Sequence, residues 1–243
     1  MTDLSGLVLS VQDYKERDGI VFVLTQTKIQ SVYARGIQSA ASKNRRLCNP
    51  FTKVDLIVGE RRSGSSMALL IKGSVKAQFH KIQDSLVAQS ACFVLRDILF
   101  RSAIHPEYED LLFKAWQAFD RSEKSRWTYA CLLLACILKN EGIAPDVSEC
   151  VRCHARKGIE TVSIADGGFL CVSCNARQFP KWKKEDLEKL RSLFVIHPDR
   201  MDIYAQNKTY DLDDFLFLAK WYERYAAAEL ASIRFLNSVR SLG

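Results

Sequence analysis

Four of the eight cysteines in this chain stand in two pairs, Cys150-x-x-Cys153 and Cys171-x-x-Cys174, with 17 residues between the pairs. A two-residue gap lets the thiolates of one pair converge on one ion. Two such knuckles complete a tetrahedron around Zn²⁺, with Zn–S bonds of about 2.3 Å. Ile159 to Ala165 can form a strand between them, and Gly167-Gly168 supplies the turn that returns the second knuckle to the first. A site closed by four thiolates leaves no position for water or substrate, so the expected role of one zinc per chain is structural. The competing reading is a pair of redox dithiols, for which nothing else in the chain argues. His154 directly follows Cys153, but four thiolates already satisfy the ion.

The second group is basic. Arg35, Lys43, Arg45 and Arg46 lie in or beside the polar segment Gly36 to Asn49, with Lys53, Arg61 and Arg62 close by. The net charge is +7, and residues 1–80 hold +6 of it, with 12 basic and 6 acidic side chains. Such a concentration attracts phosphate polyanions or anionic lipid. Small polar neighbours, Ser39, Ser42 and Asn44, leave backbone donors free beside the charges. Tyr14, Tyr33 and Phe51 are candidates for stacking on bases and equally candidates for the core. Phosphate contact is expected at Arg35, Lys43, Arg45, Arg46 and Lys53. The competing readings are a merely solvated loop, or a grip placed on Lys181, Lys183 and Lys184 beside the cysteines.

Patterns of catalysis are missing. The sequence has no Gly-x-x-x-x-Gly-Lys-Ser/Thr and no Gly-x-Ser-x-Gly, and Gly64-Ser65-Ser66 reads as a hairpin turn. His80, His105, His154 and His197 are far apart. The carboxylate pairs Glu109-Asp110, Glu185-Asp186 and Asp213-Asp214 fall at helix starts, where the helix dipole explains them. The protein is expected not to be an enzyme.

These groups must be held by a fold. Alternation in Leu7 to Val11, Thr52 to Val58 and Met67 to Phe79, the β-branched and aromatic run Ile20 to Thr25 after Asp18-Gly19, and a further run Ile29 to Ile37 predict five short strands. In the last of these, Leu69, Ile71, Val75, Ala77 and Phe79 are expected on one face. Five strands of this kind in 80 residues suggest a small barrel, with Gly36–Asn49 as a long loop between strands three and four. From Asp84 the period becomes helical. Helices are predicted over 84–99, over 106–119 with Pro106 in the first turn, and from Ser122 or Ser125 to Gly142. A short one is expected over 184–193. A last helix, from Asp211 or Asp213, follows an apolar line from Leu212 to Leu236 for over six turns. Cys92, Cys131 and Cys136 read as small buried apolar residues. The domains are then 1–80, a barrel, and 81–243, a helical domain with a zinc module at 148–178. Nothing resembles a membrane span or an export signal, so the chain is expected in the cytoplasm.

At two stretches the chain resembles the bacterial RecO family of recombination mediators. Ala34-Arg35-Gly36-Ile37-Gln38 with Ser42 is similar to the family's stretch after strand three, with Phe51 at its aromatic entering strand four. Gly142-x-x-Pro145, the two cysteine pairs and Gly167-Gly168-x-Leu170 resemble its zinc segment. His154 replaces the glycine usual after Cys153, and a hairpin glycine near Lys28 is missing. The resemblance implies an OB-fold barrel, binding to single- and double-stranded DNA, and annealing of complementary strands. It also implies partners: RecR, the acidic C-terminal tail of single-strand DNA-binding protein, and RecA indirectly, loaded onto protein-coated single strands. Rival classes are a zinc-ribbon transcription or translation factor without annealing activity, and a ligase-like enzyme, whose nucleotide pocket has no motif here.

Overall fold

The computed structural model describes residues 1–59 and 67–240. The expected hairpin at Gly64-Ser65-Ser66, with Arg61 and Arg62, lies outside them. Strands β1 (Thr2–Tyr14), β2 (Asp18–Leu24), β3 (Ile29–Ala34), β4 (Thr52–Gly59) and β5 (Ala68–Gln78) close into a barrel in the order β1-β2-β3-β5-β4. The β3–β5 pair is parallel and the other pairs are antiparallel.

The period of two decides what faces inward. In β4, Thr52, Val54, Leu56 and Val58 are buried, while Lys53, Asp55 and Ile57 are only partly covered. In β1, Val8 joins the barrel interior, and Leu7 and Leu9 point out of the barrel into the helical core. One expectation fails in β5. Ile71 is exposed and Leu70 is buried in the barrel, because the ladder slips between Ile57 and Val58, whose partners are Lys72 and Leu70. The unpaired Ile71 is a β-bulge, and it reverses the alternation on that side.

The β2–β3 turn closes without glycine. Thr25 Oγ1 accepts from Thr27 N at 3.3 Å and Lys28 N at 3.2 Å, and donates to Lys28 O at 2.9 Å. The expected long loop is partly ordered by a 3-10 turn, Arg45–Cys48. There Leu47 and Cys48 join Ile37 in the barrel core, while the arginines face solvent.

Helices α1 (Leu86–Leu99), α2 (Pro106–Asp120) and α3 (Arg126–Asn140) follow. Ser85 caps α1 by accepting from Ala88 N, and Pro106 occupies the first turn of α2, where its missing N–H costs nothing. In α3 every residue from Ala130 to Ala135 is buried, the mark of a central helix. Then come β6 (Ile159–Ser163), β7 (Gly168–Cys171), α4 (Val172–Asn175), α5 (Lys184–Val195), α6 (Met201–Asn207), α7 (Leu212–Tyr225) and α8 (Ala231–Val239).

The single last helix expected from Asp211 is two helices. Asp211 and Asp214 form a reciprocal capping box that starts α7. After Tyr225 the chain turns at Ala227, whose φ is +48°. Glu223 Oε1 accepts from Leu230 N at 2.7 Å and fixes the turn, so α8 folds back to pack on α1. Both helices bury one face, which is why the apolar line runs through the break.

Barrel and helices share one core. Phe51 lies 5.8 Å from Phe93 and 5.4 Å from Trp116, ring centre to ring centre, and Phe79 lies 5.6 Å from Phe113. Among the described residues, no helix is long and apolar enough to cross a membrane.

Candidate functional site

The β6–β7 hairpin carries the second cysteine pair back to the first. Gly167 has a φ of +89°, and a side chain on Gly168 would meet Asp146 O at 2.3 Å. That is why two glycines precede the second pair. Asp146 N donates to Gly167 O, Phe169 N to Asp146 O and Val151 N to Phe169 O, which seats the first knuckle against β7.

The sulfurs of Cys150, Cys153, Cys171 and Cys174 all lie within 4.8 Å of one another. Cys153 and Cys171 are 3.6 Å apart, close to the spacing of about 3.8 Å that a tetrahedron of Zn–S bonds sets. Burial works against ionising Cys150, but backbone N–H groups of Cys171, Arg152 and Cys153 outweigh it and bring that thiol down to about 6. Cys174 is pushed up to about 12, first by the hydrogen bond with Cys153. Four converging thiols therefore cannot all ionise unless a cation neutralises them, and the donor set suits a soft tetrahedral ion such as zinc.

Around the cluster, Arg152 Nη1 donates to Cys174 O at 2.7 Å and Nη2 to Gln178 Oε1 at 3.0 Å, so the first knuckle holds the second. Asn175, buried at 1% exposure, donates to Glu160 Oε1 and to Phe179 O and accepts from Phe179 N. Sequence reasoning missed both residues. Their types are ordinary, and the hairpin is what brings Cys174 and Gln178 to Arg152 and Glu160 to Asn175. His154 is not part of the cluster: its Nδ1 lies 2.8 Å from Glu149 Oε1.

On the barrel, Lys43, Arg45 and Arg46 line one open concavity with Ser42 and Asn49. All three cations are exposed, and none forms an ion pair among the described residues. Arg35 stands at the end of β3. The Tyr33 hydroxyl and the Gly36 N–H donate to Asp18 beside it, and these two bonds hold the Asp18 carboxyl below the usual range. Lys53 is elsewhere. Its Nζ lies 3.6 Å from Glu109 Oε1 and 4.5 Å from the centre of the Phe113 ring, at the junction with α2. Glu109, expected only as a helix-start charge, is thus a buried partner. Tyr33 and Phe51 are buried and Tyr14 packs edge-on against Tyr33, so none of the three stands in the concavity.

Comparison with known proteins fits both halves. The family model "Recombination protein O N terminal" matches residues 1–79, and "Recombination protein O C terminal" matches residues 80–232. This chain belongs to the RecO family. It is 24% identical to "DNA repair protein RecO" of Bacillus pumilus, across 98% of this chain and 94% of that protein. The protein of that name from Lactobacillus delbrueckii is 26% identical across 99% and 98%. That from Anaeromyxobacter sp. strain K is 30% identical across 70% and 69%. Directly after Cys153, His154 adopts a φ of +60°, a left-handed turn position reached here without glycine.

Proposed function

We propose that this chain is a non-enzymatic DNA-binding mediator of DNA repair and recombination. It binds single- and double-stranded DNA through its barrel and anneals complementary strands. The observation that carries this reading is the unpaired cationic concavity of Lys43, Arg45 and Arg46, set on a barrel that holds most of the net charge. Two strands repel one another, and a basic surface that releases their counterions lowers that barrier without any bond being made or broken. The strand order supports reading the barrel as an OB-fold. Arg35 extends the surface at the end of β3, whereas Lys53 is engaged by Glu109 at the junction with α2.

Cys150, Cys153, Cys171 and Cys174 would hold one structural zinc, which supplies a rigid crosslink where the module has little core of its own. Family membership supports RecR and the C-terminal tail of single-strand DNA-binding protein as partners, RecA loading as the outcome, and a cytoplasmic location.

The experiment is annealing of two complementary oligonucleotides, bare and coated with single-strand DNA-binding protein, with neither nucleotide nor Mg²⁺ added. Accelerated annealing is expected. A strict nucleotide requirement would overturn the reading, and binding without annealing would favour a zinc-ribbon factor.

A further inference from the structure

Residues 167–184 contain no Asp or Glu, and they carry Arg177, Lys181, Lys183 and Lys184. All four cations are exposed. Among the described residues, Arg177, Lys181 and Lys183 form no ion pair, and Lys184 reaches Glu188 only at 3.7 Å. This strap is built, not loose. Thr161 Oγ1 donates to Pro180 O at 2.8 Å and Trp182 N to Glu160 O at 2.9 Å, so it runs along the edge of β6. The Trp182 ring is anchored 5.2 Å from that of Phe217.

Directly after Cys174 the backbone is strained. Ala176 and Arg177 have φ values of 43° and 65°, and neither is glycine. Consecutive left-handed residues persist only where their surroundings enforce them. Here the enforcement is Asn175, which pins Phe179 by its N–H and its C=O. The result is a concavity lined by Glu160, Arg177, Gln178, Phe179, Pro180 and Lys181. Its one carboxylate is engaged by Asn175 Nδ2 at 2.8 Å.

The strap is separate from the barrel concavity. The barrel meets α2 through β1, whereas α5, into which the strap leads, packs on α3 and β6. The two concavities share no lining residue.

The geometry points to the strap 177–183 as a second binding surface for a nucleic-acid phosphate backbone, so that one chain holds two strands on two surfaces. This rests on the DNA-binding reading of the barrel. Strands held apart in this way do not repel each other within one groove, and each loses counterions before it meets the other. The cysteine module then orients the surface through Asn175, in addition to stabilising the fold.

The test uses two labelled single-stranded oligonucleotides that are not complementary, one carrying a fluorescence donor and one an acceptor, at one protein chain per strand pair. Wild-type protein should bridge them and give energy transfer. Arg177→Ala/Lys181→Ala/Lys183→Ala should still bind one strand but lose most of the transfer. Arg45→Ala/Arg46→Ala should weaken binding of the first strand. Zinc content and melting curve serve as folding controls. If the triple variant is damaged, Lys181→Glu/Lys183→Glu, outside the knuckle, replaces it. Transfer equal to wild type in a folded strap variant overturns the proposal, leaves barrel binding intact and assigns the strip to another anion, such as an acidic protein segment. Wild-type protein that binds no oligonucleotide overturns both readings.

Discussion

Arg152 lays its guanidinium fork on Asp166, with Nε 2.8 Å from Oδ1 and Nη2 3.0 Å from Oδ2. Ser163 Oγ reaches the same carboxylate. The first knuckle is thereby tied to the tip of the β6–β7 hairpin. Lysine cannot reproduce two parallel bonds. Arg152→Lys should therefore release zinc to a chelator about 10-fold faster, the usual scale for groups that hold metal ligands from behind. Cys171→Ser should go further and lower both zinc stoichiometry and melting temperature. A release rate equal to wild type would show that the fork does not restrain the module.

The barrel concavity predicts a salt dependence. Each single-strand phosphate contact contributes about −0.7 to the slope of log K against log salt. Arg45→Ala/Arg46→Ala should make that slope shallower by roughly 1.4, with folding and zinc content unchanged. Titration of an oligonucleotide across a salt series measures it, and an unchanged slope would move the grip off this loop.

Much of this was legible in the sequence. The cysteine spacing and the Gly167-Gly168 turn located the knuckles, because metal geometry leaves few alternatives. Strict alternation in Thr52 to Val58 located β4. What escaped depends on contacts that spacing does not encode. The slip at Ile71 follows from how β5 pairs with β4. The break after Tyr225 lies in Ala226-Ala227-Ala228, residues that favour a helix by themselves and yield only to Glu223 and the packing of α8. The pairing of Lys53 with Glu109 is not legible either, because the two are distant in sequence.

That pair gives a pH prediction. Burial holds the Glu109 carboxyl above its ordinary range, and Lys53 pulls it part of the way back. A carboxyl with a raised folded-state pKa favours the fold while protonated, and that contribution is lost as pH rises through its folded value. Lys53→Met removes the counter-charge. The variant should match wild type in acid and lose stability as pH rises above the ordinary carboxyl range, because without Lys53 the folded-state carboxyl is held higher still. The loss near neutrality should be about 1–2 kcal/mol, below the full-burial range because Lys53 is 30% exposed. Melting curves across pH check this, and a constant difference would mean that Glu109 stays neutral.

Ala227 occupies a left-handed conformation between α7 and α8. Glycine adopts it without a Cβ clash, so Ala227→Gly should stabilise the protein by about 0.5–1 kcal/mol in denaturant titrations. A less stable variant would mean that the extra freedom of glycine in the unfolded chain outweighs the relief.

Phe79 is the last residue of the N-terminal family match, and its ring lies 6.1 Å from Trp116 and 5.6 Å from Phe113. Domain boundaries usually run through exposed linkers, where proteases cut and where one half can swivel on the other. Here the junction is glued by aromatic rings. A force applied to the barrel is passed into the helical body as torque on a single frame, with no slack in a tether to absorb it. The distance between whatever the two halves carry is then a property of the fold, fixed before any cargo arrives.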